Sequence, residues 1–295
     1  MSLKKYEVLL NSLESGSFSK TSENLGYTQS GVTHMMNSLE SELGFKVLKR
    51  GKKGVSITKE GELILPAIRE ILRAAEKLQQ IAAQIKGIEK GALVIGTFTS
   101  LLLNWVPDII EIFQTKYPYI TIKIMEGKLS ELEKWLDDGT VDLCFFSRQQ
   151  HHSYEYIELA KDSLLAVLPK NHALSHLETI PLEAFSKYPF LSNDADMDVA
   201  NLLNLYHIQP KTTFSSNFYT AVIAMVKHNQ GIAILPKLLC NFKNQKVIVR
   251  NISPTLERNI VISYRPNDEP TPSMNCFIGC VKSYFNLNRQ PQHTK

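Results

Sequence analysis

The chain has 295 residues, of which 43% are hydrophobic and 21% charged, with a formal net charge of +4. That length asks for two or three folded units, and that mix excludes a disordered chain. No run of about 18 apolar residues occurs, and the opening residues Met1–Glu7 carry no apolar signal core, which points to a cytoplasmic location. The four cysteines, Cys144, Cys240, Cys276 and Cys280, lack metal-site spacing and are expected to be reduced, buried thiols.

Leu3, Tyr6, Leu9, Leu10 and Leu13 recur at helical spacing, with Ser2 as a cap. A second helix should start at Ser17 or Ser19 and end at Leu25, where Gly26 allows a left-handed cap. A third should run from Thr28 towards Leu43, with Val32, Met35, Met36, Leu39 and Leu43 facing inward. Two short helices around a glycine-containing turn are how a protein presents the second one to the major groove of DNA. The outward face of that helix carries Gln29, Ser30, Thr33, His34 and Asn37, with Thr28 as its cap. These are short polar side chains able to hydrogen-bond base edges or phosphates. A solvated helix face is the plain alternative.

Phe45–Ile57 reads as a hairpin turning at Gly51–Gly54, with strands at Val47–Leu48 and Val55–Ile57. From Lys46 to Lys59 there are lysines at 46, 49, 52, 53 and 59, plus Arg50, and no acid. Arg50, Lys52 and Lys53 stand at the tip, suited to phosphates or the minor groove. The segment is no nucleotide-phosphate loop, because Gly51–Ser56 lacks the Gly-Lys-Ser/Thr ending.

From Thr58 to Lys86 the pattern is one long helix. Thr58 caps it, and Glu60 and Glu62 complement its dipole. Leu63, Leu65, Ile68, Ile71, Leu72, Ala75, Leu78, Ala82 and Ile85 form an apolar stripe, interrupted by Pro66, where a kink or a lost hydrogen bond is expected. So long a stripe exceeds what a sixty-residue domain covers; a second copy of the helix is the simplest partner, so a homodimer or homotetramer is expected, with packing against the following domain as the plain alternative.

Beyond Gly91 strands and helices alternate, which predicts an open, largely parallel α/β sheet. Strands are expected at Ala92–Gly96, Ile120–Met125 and Val141–Phe146, and helices at Leu101–Lys116 and Leu129–Asp138. A second α/β unit starts near Leu164–Leu168, with the helix Phe218–His228 and the strand Gly231–Pro236; the final helix, Ser273–Phe285, returns to the first unit. The implied division is residues 1–59, 60–89 and 90–295, the last split into lobe I (90–161 and 266–295) and lobe II (162–265). A ligand belongs between such lobes, at the carboxyl ends of the strands. Thr97, Thr99 and Ser100 follow the first strand and open a helix, where hydroxyls and free amides suit an anion such as a small carboxylate.

The chain resembles the LysR-type transcriptional regulators over essentially its whole length. In the N-terminal part the resemblance rests on Gly16–Ser19, Leu25, Gln29–Ser30, Val32–Thr33, Leu39–Glu40, Glu42–Gly44, Leu48, Arg50, Gly54–Val55, Ile57–Thr58 and Gly61. Further on it rests on Gly91–Gly96, Pro107, Phe113, Tyr117–Pro118, Glu126–Gly127, Leu136, Gly139, Asp142–Leu143, Val167–Pro169, His172 and Gly231–Pro236. It implies a winged helix-turn-helix, a linker and dimerisation helix, and a two-lobed effector domain like the periplasmic binding proteins. It also implies that Thr99, Ser100, Ser147, Asn193, Asn217 and Ile232 fall where the family's effector pocket lies. Thr21–Ser22, Gly31–Thr33, His34 and Val47 depart from the usual pattern; Gly31 loosens the start of the third helix.

The function expected is sequence-specific binding of a double-stranded DNA operator, modulated by a small-molecule effector, with no cofactor, metal or membrane. The alternative is a small-molecule binding protein whose N-terminal domain contacts a protein. An enzyme is disfavoured: no Gly-x-Ser-x-Gly elbow, His-Glu-x-x-His or dinucleotide loop occurs, and His151-His152 has no third ligand at metal spacing.

Overall fold

A computed structural model describes residues 2–51, 54–149, 153–194, 197–241, 246–266 and 269–287. The chain falls into two compact units, Met1–Gly91 with Asp138–Thr140, and Ala92–Asp137 with Val141–Lys295.

The first unit holds α1 (Leu3–Ser15), α2 (Phe18–Leu25), α3 (Gln29–Leu43), β1 (Leu48–Gly51), β2 (Gly54–Ile57) and α4 (Lys59–Ile85). Side chains set the helix starts: Ser17 accepts from the Lys20 amide, Thr28 from Gly31, and Thr58 from Gly61. Ser2 sits at the cap of α1 but makes no side-chain cap bond. Gly26, at φ 69°, ends α2 in the left-handed conformation that its lack of a Cβ permits. Tyr6, Val8, Leu9, Val32, Met36, Leu39, Val47 and Ile68 form one core. Helix α4 runs on through Pro66, whose ring nitrogen has no hydrogen to give its turn. Its apolar residues divide: Ile68 and Leu72 of the expected stripe pack into that core with Ile64, whereas Leu63, Ile71, Leu78 and Ile85 of the stripe are exposed, as is Ile81.

The second unit begins with β3 (Gly91–Thr97), the one-turn α5 (Thr99–Leu102), α6 (Trp105–Lys116), β4 (Ile120–Glu126), α7 (Leu129–Asp137) and β5 (Leu143–Ser147). The helix expected over Leu101–Lys116 is thus two helices, because Asn104 breaks from helical geometry at φ −127°, its side-chain Nδ2 donating to the carbonyls of Ser100 and Leu238. Next comes the 15-residue β6 (Glu155–Pro169). It is followed by β7 (Thr179–Pro181), α8 (Ala184–Lys187), β8 (Phe190–Asn193), α9 (Met197–Leu205), β9 (Thr212–Ser216), α10 (Tyr219–Lys227) and β10 (Ala233–Pro236). Then β11 (Val247–Ser253) and β12 (Leu256–Tyr264) lead into α11 (Pro272–Leu287).

The main sheet runs β4-β3-β5-β12-β6-β11-β7, with β10 also on β6. It is mixed, not largely parallel. β3 and β5 pair in parallel, but β12 lies antiparallel to both β5 and β6, because it carries the chain back from the second lobe to the first. β6 and β12 pair along Leu256–Tyr264, so the two lobes share long strands rather than a loose linker. Around Phe113, Phe145 and Phe277 one lobe packs its core; around Phe185, Leu164 and Ile234 the other packs its own. All four cysteines are free, Cys144 and Cys280 buried and Cys240 and Cys276 partly so. Burial pushes the Cys240 thiol up to about 12 and Cys144 higher still, away from the thiolate form.

Candidate functional site

On the first unit, Thr28, Gln29, Ser30, His34 and Asn37 are exposed along α3, with Thr33 half-buried. The Thr33 hydroxyl donates to the Gln29 carbonyl at 3.0 Å, and the Thr28 hydroxyl accepts from the Gly31 amide and lies 3.1 Å from Ser30 Oγ. Gln29, Ser30 and His34 therefore form the outward polar tip of the helix. Asn37 is spoken for differently: its Oδ1 accepts from Arg50 Nη2 at 2.9 Å. Arg50 also lies 4.8 Å over the Phe18 ring and 3.7 Å from Glu40.

Glu40 ties the wing to α3. Its buried carboxylate accepts from the amides of Val47 and Leu48 at 3.0 and 3.1 Å and from Lys46 Nζ at 2.8 Å. Burial pushes its pKa up, but these donors outweigh burial and hold it below the usual carboxylate value. The other wing strand is pinned too, by the Val55 amide donating to the Gly16 carbonyl at 2.8 Å. Gly54, at φ 103°, is required there, since a Cβ would come within 2.5 Å of that carbonyl oxygen. Lys52, Lys53 and the His151-His152 pair lie outside the described residues.

On the second unit a cavity of about 390 Å³ opens at the carboxyl ends of β3 and β5. Thr99, Ser100, Ser147, Asn193 and Asn217 line it. Thr97 and Ile232 do not: both are fully buried, Ile232 in the core of the second lobe. The hydroxyls expected to receive an anion are already engaged. Ser100 Oγ accepts from Arg258 Nη2 at 2.7 Å, and Ser147 Oγ donates to both oxygens of Asp198 at 2.5 and 2.6 Å. The Thr99 hydroxyl donates to Glu126, and the Asn217 oxygen accepts from Lys128 Nζ at 2.8 Å.

At the floor lies a buried ionic cluster. Arg258 and Asp162 are direct cross-strand partners on β12 and β6, and the guanidinium donates twice to the carboxylate at 2.8 and 3.1 Å. Asp198, from α9, stands 3.4 Å from Arg258 Nη1 and also accepts from Gln149 at 2.8 Å. The guanidinium sits 4.8 Å from the Phe98 ring. Burial pushes the Asp162 carboxyl above its ordinary range despite Arg258. Sequence reasoning missed Asp162, Asp198, Arg258 and Lys128. The missed signal is alternation: Asp162 shares its inward face with Leu164, Ala166 and Leu168, and Arg258 with Leu256 and Ile260.

Two family models match the chain: "Bacterial regulatory helix-turn-helix protein, lysR family" over residues 3–62, and "LysR substrate binding domain" over residues 86–286. The chain belongs to the LysR family of transcriptional regulators. Among its relatives, the regulator YvbU of Bacillus subtilis is 28% identical over 291 residues, covering 97% of this chain and 99% of that one. AlsR of the same organism is 27% identical, covering 94% of each. A full-length OxyR variant from Pseudomonas aeruginosa shares the fold at a TM-score of 0.78 and 19% identity, covering 97% and 98%. CbnR solved with its target DNA does so at 0.66 and 20%, covering 96% and 100%. This LysR-type chain is therefore a DNA-binding transcriptional regulator with an effector-binding domain, not an enzyme. Among the described residues no helix is long and apolar enough to cross a membrane.

Proposed function

We propose that residues 1–59 read operator DNA, 60–89 pair two copies, and 90–295 bind the effector between lobe I (90–161 and 266–295) and lobe II (162–265). Gln29, Ser30 and His34 reach base edges, with Thr28 and Thr33 shaping the helix start that presents them. Arg50, held by Asn37, grips phosphate together with Lys52 and Lys53. The observation that carries this reading is the exposed polar tip of α3 beside a wing pinned by Glu40.

The exposed residues Leu63, Leu78 and Ile85 on α4 support a homodimer, since 68–83% of each remains uncovered. The effector occupies the 390 Å³ cavity, with Thr99, Ser100, Ser147, Asn193 and Asn217 on its walls. Selection of genomic fragments by the full chain, followed by a salt titration, tests the DNA reading. A discrete fragment retained at moderate salt is expected; retention of random fragments alone would refute it.

A further inference from the structure

The cavity's anion cage is filled from within. Ser147 and Gln149 both donate to the Asp198 carboxylate, and Arg258 faces it as well. Ser100, on the opposite wall, accepts from the same guanidinium. A hydroxyl and a guanidinium converging on one carboxylate are what a carboxylate ligand would need, and here a side chain of the second lobe supplies that carboxylate.

Acidic groups outnumber basic ones around this cage. Glu126 and Glu131 line the cavity with Asp198, and Asp162 lies directly beneath Arg258. Against these four carboxylates stand Lys128 and Arg258, the latter already shared by Asp162 and Asp198. An entering anion would leave water for a partly enclosed, net-negative space, which is unfavourable, whereas a protonated nitrogen would relieve the excess. Beside the polar Thr99, Ser100, Ser147, Asn193 and Asn217, the wall carries apolar and aromatic surface from Phe98, Leu129, Met197, Phe218, Tyr219 and Leu239. Phe218 is 71% and Met197 47% exposed, so both have apolar surface still to cover.

We propose, resting on the reading of this cavity as the effector site, that it takes a small ligand carrying a protonated amine and an apolar body. The ammonium pairs with Glu126 and the body packs on Phe218, while Asp198 keeps carboxylates out by standing in their place.

Thermal melting of the full chain with matched probes tests this, using benzylamine, phenethylamine and n-butylamine against the carboxylates of the same skeletons. At least one amine is expected to raise the melting temperature by a few degrees at saturating concentration, with its carboxylate twin inert. Glu126→Gln should weaken that amine about tenfold, and Phe218→Ala should weaken it too. Asp198→Ala, which empties the cage, should gain a response to the carboxylate. If the carboxylates stabilise the wild-type chain and Phe218→Ala removes that effect, the ligand class is overturned while the cavity reading stands. If no probe acts, or the effect survives both Phe218→Ala and Glu126→Gln, the cavity reading falls and the proposal with it.

Discussion

The two surfaces proposed to carry this regulator's function are built in opposite ways. The tip of α3 presents Gln29, Ser30 and His34 to solvent, and their neighbours Thr28 and Thr33 spend their hydroxyls on the helix itself. The floor of the second unit's cavity buries Asp162, Asp198 and Arg258 and satisfies them with each other. An exposed reading face costs little to keep ready, because water solvates it until DNA arrives. A buried ionic floor is different: it is costly to break and discriminates by charge, so any ligand must fit what is already there. On the proposed reading, binding adds contacts at the first surface and must respect existing ones at the second.

The contrast breaks most sharply at Arg258. Arg258→Ala leaves Asp162 and Asp198 buried without their cation and should cost about 3–5 kcal/mol in stability of the second unit, measured by urea unfolding. A change below about 1 kcal/mol would show that the cluster is solvated and the contrast false. Next in size is self-association. Leu78→Lys with Ile85→Lys should weaken it at least about a hundredfold in sedimentation equilibrium; an unchanged mass would place the dimer contact elsewhere.

Glu40 sharpens the first half of the comparison. Glu40→Ala strands the buried amides of Val47 and Leu48 and should cost about 2 kcal/mol or more. Its folded pKa is depressed, so its contribution is present above the carboxylate's ordinary range near about 4 and is lost as pH falls through the lower folded value. Acid titration of the wild-type chain should thus show a loss of stability below that range that Glu40→Gln lacks. Smallest is Arg50→Ala, which should weaken specific and random DNA alike and flatten the salt slope by about one unit.

Much of the first unit was legible in the sequence because local signals dominate there. Thr28 and Thr58 cap where hydroxyls before apolar periods said they would, and Gly26 and Gly44 end their helices. In the second unit the strand-helix alternation was legible, but its mixed sheet was not. The antiparallel run of β12 beside β6 joins residues nearly a hundred positions apart, as in Asp162 and Arg258, and no local pattern encodes such a pairing. The same distance hid the cavity floor. Ser100 stood out because it opens a helix just after a strand, and Ser147 because it ends one; that Arg258 and Asp198 already hold them depends on β12 and α9. Arg50 and Asn37 each suggested DNA contact by residue type, and only the folded hairpin shows them bonded to each other.

The most direct test of the central claim is the ratio of operator to random-duplex affinity, by fluorescence anisotropy at fixed moderate salt, for the wild-type chain and a Gln29→Ala, His34→Ala variant. The account predicts that the double variant loses about 1–3 kcal/mol per base contact on the operator and almost none on random DNA, so the ratio collapses. Equal loss on both duplexes would contradict it and reduce the tip of α3 to a nonspecific contact.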